Sequence, residues 1–558
     1  MRYESWFRHL AGALALITCN SAHGVLFRVG ADAACQYNSP ATAIAAAQAN
    51  GSGVDQILLS GDFSGVALII DTPLELRGGY ANCSAPNPTG RSQLTGTDGL
   101  SPVLDIVSAE VTLSGLHVQG ANSLPPRVLY GGGIAITNAV TYLSDSEISN
   151  AVAKLGGGIA VVGHNSVLVI YDDVEIHHNY AYEGGGIYVG EALLRASYKN
   201  LSIHHNSAER NSQTLEGGHG GGIYVTGASG WAADVVIASY EALEPIVGAR
   251  ISDNYARSGG GGIYVTTNAS ASTYETAIER NSTDGVGGGV MVYSDGNFSL
   301  ARRESIANIF VKNCTSTCAR ISDNFAQEGG GAVMTMVGAT SVRQAQVIGN
   351  SSNHGGSAFH FGSIANATRT NSLVLDGVVV AKNNCNVGTN ASRPCAVYST
   401  VNSDSIELRH VTQVNNRLAN TPVADFRFNG NEHLSIVNSI LIPDALSSNI
   451  IFGSYAAGPI DCNLYSRGTL GNRPISGAAT FINAAANDYR LSTSGTLSAG
   501  IDTCDASFLG EPDTWYSDPL LMSRGQNLPN VGANSGTLHD VGAYEAMPSL
   551  PFGDGFED

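Results

Sequence analysis

The sequence predicts an all-β repetitive fold, and three observations support this prediction. Runs of glycine followed directly by β-forming residues recur along the chain, for example EGGGIYVG at 183–190 and GGGGIYVT at 259–266. Between about residues 54 and 440, apolar residues alternate with a period of two, and helical periodicity is absent. Most glycine runs are preceded by an apolar residue, two variable residues and an asparagine.

The glycine runs define the length of one repeat. Our alignment places the first strand residue after each run at Ile134, Ile159, Ile187, Ile223, Ile263, Val290, Ala332 and Ala358. Four of the seven separations lie between 25 and 28 residues, and we interpret the longer ones as insertions. A unit of this length with two or three short strands and no helix winds as one coil of a solenoid. The predicted fold is therefore a single-stranded right-handed parallel β-helix.

Glycine and asparagine mark the corners of the predicted coil. Glycine accepts a positive φ and a close backbone approach, so it suits a sharp turn between two faces. Asparagine also tolerates left-handed φ, and its amide can stack on the asparagine one coil away. We therefore predict a hydrogen-bonded corner ladder formed by Asn179, Asn206, Asn254, Asn281, Asn324 and Asn350.

The segments outside the repeats predict an exported chain with closed ends. The N-terminus combines two arginines with a ten-residue apolar stretch, which is typical of a secretory signal peptide. Ser39 followed by Pro40 and an alanine-rich body predicts a helix that covers the first coil. The predicted organisation is a signal peptide at 1–24, an N-terminal cap at 25–53, the β-helix at 54–440, a β-rich closing segment at 441–546 and an acidic tail at 547–558.

The cysteine count favours disulfide bonds. Removal of residues 1–24 leaves eight of the nine cysteines, and an even number in an exported chain indicates disulfides. A zinc site would need clustered ligands, and the chain has no CxxC pair. Eight cysteines allow 105 connectivities. We predict the sequential pairs Cys35 with Cys83, Cys314 with Cys318, Cys385 with Cys395, and Cys462 with Cys504.

The charge balance excludes some partners. Against 47 acidic residues the chain has only 28 lysines and arginines, a net charge of -19. Nucleic acids are bound through basic side chains that neutralise phosphates, so we expect no nucleic-acid partner. No apolar window after the N-terminus reaches the length of a spanning helix, so we expect no transmembrane segment in the mature chain, and we expect a monomer.

Two corner segments resemble a known family. ISDNYARSGGGGIYV at 251–265 and ISDNFAQEGGGAVM at 321–334 resemble the GGxI and FxxN repeats of the polymorphic outer-membrane proteins. These are surface-exposed right-handed β-helices and adhesins, and the repeat match covers residues 130–361. The resemblance implies a secreted or cell-surface location and an adhesive role. Residues after 440 lack the alternating strands of that family's translocator barrel, so we do not expect self-export.

A carbohydrate-active enzyme on the same scaffold is the alternative prediction. Asp172 and Asp173 in YDDVEI, with His219 in EGGHGGG, resemble the Asp-Asp and Gly-His-Gly motifs of polygalacturonases. The Asn-x-Asp and Arg-x-Lys motifs of those enzymes have no match here. A polysaccharide lyase would need a basic proton abstractor and an acidic calcium site, for which Arg250 and Arg280 form no recognisable set.

The segment IHHN occurs twice, with Ile176 and Ile203 one predicted coil apart. If the coils stack in register, His177 lies over His204 and His178 over His205 at about 4.8 Å. Four imidazoles in a column could bind a transition metal, or they could form a surface ladder of stacked rings. Apart from such a metal ion or calcium, we expect no cofactor.

The leading functional prediction is a non-catalytic binding module. The insertions at 224–250 and 291–320 are the predicted binding surfaces, and glycans or host and cell-surface proteins are the predicted partners. A polysaccharide lyase or a glycoside hydrolase is the alternative.

Overall fold

The computed structural model describes a chain that is almost entirely β-structure. It describes residues 23–543 apart from 52, 98, 122, 198–199, 239–248, 302–318, 364–369, 386–394, 400–403, 419–425, 444–450, 467–470, 476, 493–497, 502 and 506–537. The predicted signal peptide, except for its last two residues, and the acidic tail lie outside these residues. Within the described residues, no helix combines the length and the hydropathy needed to span a bilayer.

In the part of the chain that the structure describes, one α-helix, α1 (Pro40–Asn50), and one 3-10 helix, η1 (Ala484–Ala486), accompany the strands. The strands, in chain order, are β1 His23–Val29, β2 Val54–Ser60, β3 Phe63–Val66, β4 Leu68–Ile70, β5 Leu74–Tyr80, β6 Ser92–Gly96, β7 Leu104–Val107, β8 Glu110–Ser114, β9 Leu116–Gln119, β10 Ile134–Thr137, β11 Val140–Ser144, β12 Ser146–Ser149, β13 Ile159–Val162, β14 Val167–Ile170, β15 Val174–His177, β16 Tyr180–Ala181, β17 Ile187–Gly190, β18 Leu193–Ser197, β19 Leu201–His204, β20 Ser207–Ala208, β21 Ile223–Thr226, β22 Ala233–Ala238, β23 Ala249–Ser252, β24 Tyr255–Ala256, β25 Ile263–Thr266, β26 Ala269–Tyr274, β27 Thr276–Glu279, β28 Ser282–Thr283, β29 Val290–Ala301, β30 Arg320–Ser322, β31 Phe325–Ala326, β32 Val333–Arg343, β33 Gln346–Ile348, β34 Ser351–Ser352, β35 Phe359–Gly362, β36 Ser372–Asp376, β37 Val379–Ala381, β38 Asn384–Cys385, β39 Val397–Ser399, β40 Ser405–Arg409, β41 Thr412–Val414, β42 Arg417–Leu418, β43 Phe426–Val437, β44 Ile440–Ile442, β45 Ile451–Asp461, β46 Leu464–Tyr465, β47 Phe481–Asn483, β48 Asp488–Leu491, β49 Cys504–Asp505 and β50 Leu538–His539.

The strands stack in four columns, which we call faces 1 to 4. In the coil that begins at Ile159, β13 lies on face 1, β14 on face 2, β15 on face 3 and the short β16 on face 4. Each pairs in parallel with its counterpart one coil later, β17, β18, β19 and β20. Long strands such as β29 and β32 run through the corner between faces 1 and 2 and join them into one sheet. The predicted parallel β-helix is confirmed.

A continuous apolar core fills the coil. Its buried side chains run from Phe27 to Tyr465 and come from alternate positions of each strand, such as Leu168 and Ile170 of β14. Burial of each such side chain contributes about 1.5–3 kcal/mol. The residues between them point outward. Because the strands of consecutive coils pair residue by residue, the outward residues form columns along the coil axis.

The N-terminal end is closed as the sequence predicts. Ser39 has extended backbone geometry before Pro40, although its side chain makes no capping hydrogen bond. The helix α1 buries Ala43, Ile44 and Ala47 against the core. Before the helix, β1 pairs in parallel with β2. The stack therefore begins earlier than residue 54, the predicted first residue of the β-helix.

The stack also extends beyond residue 440, the predicted end of the β-helix, because β46 pairs with β44. Beyond it, β47 and β48 form an antiparallel pair, as do β49 and β50. A small apolar cluster that includes Leu464, Leu491 and Val541 covers this end. The described part of the chain after residue 440 therefore contains further strands, and the first of these belong to the coil.

Glycine is needed at the corner before face 1 for two reasons. Gly156 has a φ of 67°, which glycine adopts without strain. Gly157 lies so close to the next coil that a Cβ would stand 2.5 Å from the carbonyl oxygen of Gly185. Our alignment is wrong by one residue at two coils. Val333 and Phe359 take the first strand position, and Ala332 and Ala358 occupy the third-glycine position before them.

The predicted asparagine ladder is present, with one correction. The Oδ1 atom of Asn254 accepts hydrogen bonds from the backbone N and the Nδ2 of Asn206, at 3.0 Å each, and the same pattern repeats along the ladder. The ladder asparagines do not adopt the left-handed conformation we expected. That conformation belongs to the residue before each, such as His205 with a φ of 52°. The ladder also continues to Asn383 and Asn416, which the sequence analysis missed.

Three of the four predicted disulfides are confirmed. The Cα–Cα distances are 5.2 Å for Cys35–Cys83, 5.3 Å for Cys385–Cys395 and 5.9 Å for Cys462–Cys504. The fourth predicted pair, Cys314 and Cys318, lies outside the described residues.

Candidate functional site

A groove of about 560 Å³ opens at the corner between faces 2 and 3 in the first coils. Arg77, Ser114, Ser144 and Tyr171 lie along it, one from each of four consecutive coils. Because neighbouring strands are about 4.8 Å apart, these four positions span about 14 Å along the coil axis. The groove is therefore elongated and runs across the strands.

One wall of the groove is the segment between β5 and β6, which contributes Pro88, Gly90 and Arg91. Its two ends meet closely, since a Cβ on Gly79 would lie 1.9 Å from the carbonyl oxygen of Gly90. The disulfide from Cys83 ties this wall to the N-terminal cap.

The cap holds the wall with polar contacts as well. Asp32 accepts a hydrogen bond from the backbone N of Cys83 at 2.9 Å, and the Arg28 guanidinium donates to the Cys83 carbonyl. A ligand would therefore meet a wall that is already ordered, which lowers the entropy cost of binding.

Asp145 and Asp173 also line the groove, and each directly precedes a face 3 strand, β12 or β15, of consecutive coils. Burial raises the pKa of Asp145, the neighbouring Asp172 and Asp173 raise it further, and Arg91 opposes the shift. Arg91 crosses the groove, with Nε donating to the Asp145 carbonyl at 3.0 Å and a terminal nitrogen 3.2 Å from Glu147. The groove thus offers guanidinium donors, carboxylate acceptors and the ring of Tyr171.

The structure separates the predicted catalytic residues. Asp172 and Asp173 lie in the turn between β14 and β15, beside Asp145. His219 instead precedes β21, where its Nδ1 is 3.1 Å from a Glu183 carboxylate oxygen. His219 does not line the groove, so the geometry does not bring the polygalacturonase-like set together.

Asp145 is a groove residue that the sequence analysis missed. The segments LSDSEIS and IYDDVEIH are equivalent parts of consecutive coils, and Asp145 and Asp172 both have positive φ, 46° and 59°. Aligning the coils by their strands instead of by their glycine runs would have found this residue.

The histidine column stacks in the predicted register. The rings of His177 and His204 are 5.1 Å apart and tilted by 7°, and those of His178 and His205 are 5.1 Å apart and tilted by 5°. The four rings do not converge on one point, because parallel stacked rings point their nitrogens in the same direction. In each coil the two Nδ1 atoms are instead 2.7 Å apart.

The candidate lyase arginines make ion pairs. Arg250 and Arg280 both contact Glu279, at 3.2 and 2.8 Å, and Arg320 contacts the same carboxylate. Burial alone would raise the pKa of Glu279, but the surrounding arginines lower it. These arginines therefore neutralise one buried carboxylate.

Aromatic side chains form a second column, on face 1. Tyr188, Tyr224 and Tyr264 stack at 5.4 and 5.1 Å, nearly parallel. Their faces cover one another, so this column presents ring edges to a ligand and not the open faces on which a sugar ring packs.

The predicted insertions belong partly to the coil. Residues 224–250 contain most of β21, all of β22 and the start of β23, and residues 291–301 belong to β29. In the first insertion, Trp231 is 52% exposed, and its ring stacks on His164 at 4.4 Å. The remaining parts, 239–248 and 302–318, lie outside the described residues.

Comparison with known proteins adds no family assignment: no family model and no curated protein matches this sequence. The resemblance to the polymorphic outer-membrane proteins stays a prediction.

Proposed function

We propose that this chain is an exported binding module that holds a carbohydrate chain in the groove between Arg77 and Asp173. The observation that carries the proposal is the elongated groove that four coils line with donors, acceptors and the aromatic rings of Tyr80 and Tyr171. Sugar hydroxyls both donate and accept hydrogen bonds, so guanidinium and carboxylate groups side by side match them. The disulfides support export, because such bonds persist in oxidising compartments.

Binding is favoured over hydrolysis by the arrangement of the carboxylates. A glycoside hydrolase places two carboxyl groups on opposite sides of the bond that it cleaves. Asp145 and Asp173 both lie at the start of face 3, directly before the paired strands β12 and β15, one coil apart. They would therefore approach a bound sugar chain from one side, which suits hydrogen bonding to its hydroxyls.

The test is carbohydrate binding by the purified full chain, measured over a panel of neutral and acidic polysaccharides by calorimetry. We expect Tyr171→Ala and Arg91→Ala to weaken binding about ten-fold, because each removes one direct contact. The matched control is Arg257→Ala, which removes an exposed ion pair with Asp284 away from the groove. Unchanged affinity in both groove variants, or no binding by any member of the panel, would contradict the proposal.

A glycoside hydrolase is the second candidate, and it is favoured by the position of Asp145 in the groove beside Asp172 and Asp173, where burial and these carboxylates raise its pKa. A carboxyl group that keeps its proton can act as a general acid toward the leaving oxygen. A reducing-sugar assay with the same polysaccharides distinguishes the two functions. A loss of activity of about 100-fold or more in Asp145→Asn would establish hydrolysis, whereas binding without any product formation supports the module.

A further inference from the structure

A cluster of histidines and glutamates lies on the outward side of face 3, next to the groove. It consists of His117 on β9, Glu147 on β12, Glu175 and His177 on β15, and His204 on β19. The Oε1 atom of Glu147 is 3.2 Å from the Nε2 of His117 and 3.0 Å from the Nε2 of His177. In the next coil, Glu175 Oε1 is 2.7 Å from His204 Nε2.

We propose that this cluster binds a divalent transition-metal ion, with His177, Glu147 and Glu175 as its ligands. One nitrogen or oxygen atom from each of these three residues lies within 4.8 Å of the other two. A tetrahedral ion with bonds of about 2.0–2.2 Å holds its ligand atoms about 3.4 Å apart. The ligand atoms therefore need to move only slightly to close around an ion, and His117 or His204 can supply a fourth ligand.

The residue after His177 in the chain, His178, offers an outer contact of the kind that metal sites use. A metal-bound imidazole usually donates its other ring N–H to a partner that fixes the ring. The Nδ1 of His177 is 2.7 Å from the Nδ1 of His178, so His178 can be that partner. A metal ion would replace the proton between His177 Nε2 and Glu147, and the proton on Nδ1 would then be donated to His178.

The donor set selects the class of ion. One or two imidazoles with carboxylates suit zinc, copper, nickel or iron, whereas calcium and magnesium take oxygen ligands alone. The two glutamates carry negative charge toward the ion, and Arg91 is the cation in contact with Glu147. The side chains of His177 and Glu147 are 16% and 23% exposed, so the site is shielded yet reachable from solvent.

The experiment measures metal uptake by the full-length chain. The protein is stripped with a chelator, exchanged into chelator-free buffer and titrated with Zn²⁺ by calorimetry and with Co²⁺ by visible absorption. We expect the double variant Glu147→Gln/His177→Ala to bind Zn²⁺ at least about ten-fold more weakly than the wild type and to lose the absorption of bound Co²⁺. His354→Ala, at an exposed histidine on another corner, is the matched control and keeps wild-type binding.

All variants are compared by circular dichroism, so that loss of the ion is separated from loss of the fold. The ligands are surface side chains, and we expect the double variant to keep the wild-type spectrum. Equal Zn²⁺ affinity in the wild type and a folded double variant would overturn the proposal, as would failure of the wild type to take up Zn²⁺ or Co²⁺. The test does not depend on whether the groove binds carbohydrate.

Discussion

At the scale of single residues, the corner ladder shows how one side chain serves several coils. Asn254 is fully buried. Its Nδ2 donates to the Ile203 carbonyl and to Asn281 Oδ1, both at 2.9 Å, while its Oδ1 accepts from Asn206. A residue without an amide would leave the Ile203 carbonyl and the Asn206 backbone N–H, both in the preceding coil, without these partners. The ladder therefore stabilises the contacts between coils, not only its own turn.

The first prediction concerns this residue. We expect Asn254→Ala to lower the free energy of unfolding by about 2–5 kcal/mol, because it leaves a buried N–H and a buried carbonyl unsatisfied at about 1–3 kcal/mol each. Urea denaturation measures the change. The control is Asn353→Ala, a surface amide that bonds Gln327, for which we expect a change within about 0.5 kcal/mol. An Asn254 variant as stable as this control would show that water replaces the ladder contacts.

The second prediction concerns pH. Burial lowers the pKa of His178, and the neighbouring His177, His205 and His204 lower it further. Between this lowered value and the ordinary value of about 6.5, the unfolded chain holds more protons at this position than the folded chain. The contribution of His178 to the free energy of unfolding is therefore greatest above about pH 6.5, and it decreases as the pH falls from there toward the lowered pKa.

The test measures the unfolding midpoint of the wild type and of His178→Asn from about pH 8 to about pH 5, a range that brackets the ordinary histidine pKa of about 6.5. Asparagine suits the left-handed backbone here, and Asn150 takes the equivalent position one coil earlier. We expect a smaller loss of stability on acidification in the variant. Identical pH profiles would show that His178 is not responsible.

At the scale of elements, the groove depends on one irregular segment. The outward columns of faces 2 and 3 repeat from coil to coil, but the wall between β5 and β6 has no counterpart in the repeat. Its position is determined by the Cys35–Cys83 disulfide and by the contacts of Asp32 and Arg28 with Cys83. The regular scaffold thus supplies the floor, and a tethered loop makes it a groove.

The third prediction tests this tether. We expect Cys35→Ser/Cys83→Ser to lower the free energy of unfolding by about 2–4 kcal/mol, because the bond closes a loop of 48 residues. The Cys385–Cys395 bond closes a loop of only 10 residues. We therefore expect Cys385→Ser/Cys395→Ser to lower the free energy of unfolding by a smaller amount. Chemical denaturation compares the two. If the groove binds carbohydrate, the first variant should also bind more weakly and the second should not. Equal effects of both variants on binding would argue against a tethered wall.

At the scale of the whole molecule, the described part of the chain is a stack in which the strands of each coil pair with those of the coils next to it. The core is continuous from Phe27 to Tyr465, yet it is made of one layer per coil. Damage at one end of such a stack should therefore remain local. The open edge of a sheet is also a site of unwanted pairing, which explains why both ends are covered.

The fourth prediction uses this property. Ile44, on α1, is 3% exposed and packs on the first coils, so Ile44→Asp should release the cap. We expect faster amide hydrogen exchange in β1 and β2 and unchanged exchange in β25. Ala45→Asp, on the exposed side of the same helix, is the control. Exchange that rises equally along the whole stack would contradict the nearest-neighbour description.

Much of the fold could be predicted from the sequence because the repeat carries its own register. His177 lies over His204 since Ile176 and Ile203 occupy the same position in consecutive coils. Less of the site could be predicted. Glu147 and Glu175 contact the histidines because all of these residues occupy outward positions of face 3. The alternation of inward and outward residues does not resemble a metal-binding motif in the sequence. Asn383 follows the ladder pattern, but it lies beyond the glycine runs that directed the alignment.

The amino-acid sequence alone determined the coil and its corners, because glycine, asparagine and strand alternation act through local geometry that repeats every coil. Only the tertiary structure decided which side chains outside the repeat join the outward columns. Asp145 and Asp173 lie one coil apart in the repeat, whereas Arg91 reaches the same groove from a segment that is tied to the cap by Cys83. Contacts of that kind depend on where a non-repeating segment folds, and no period in the sequence encodes its position.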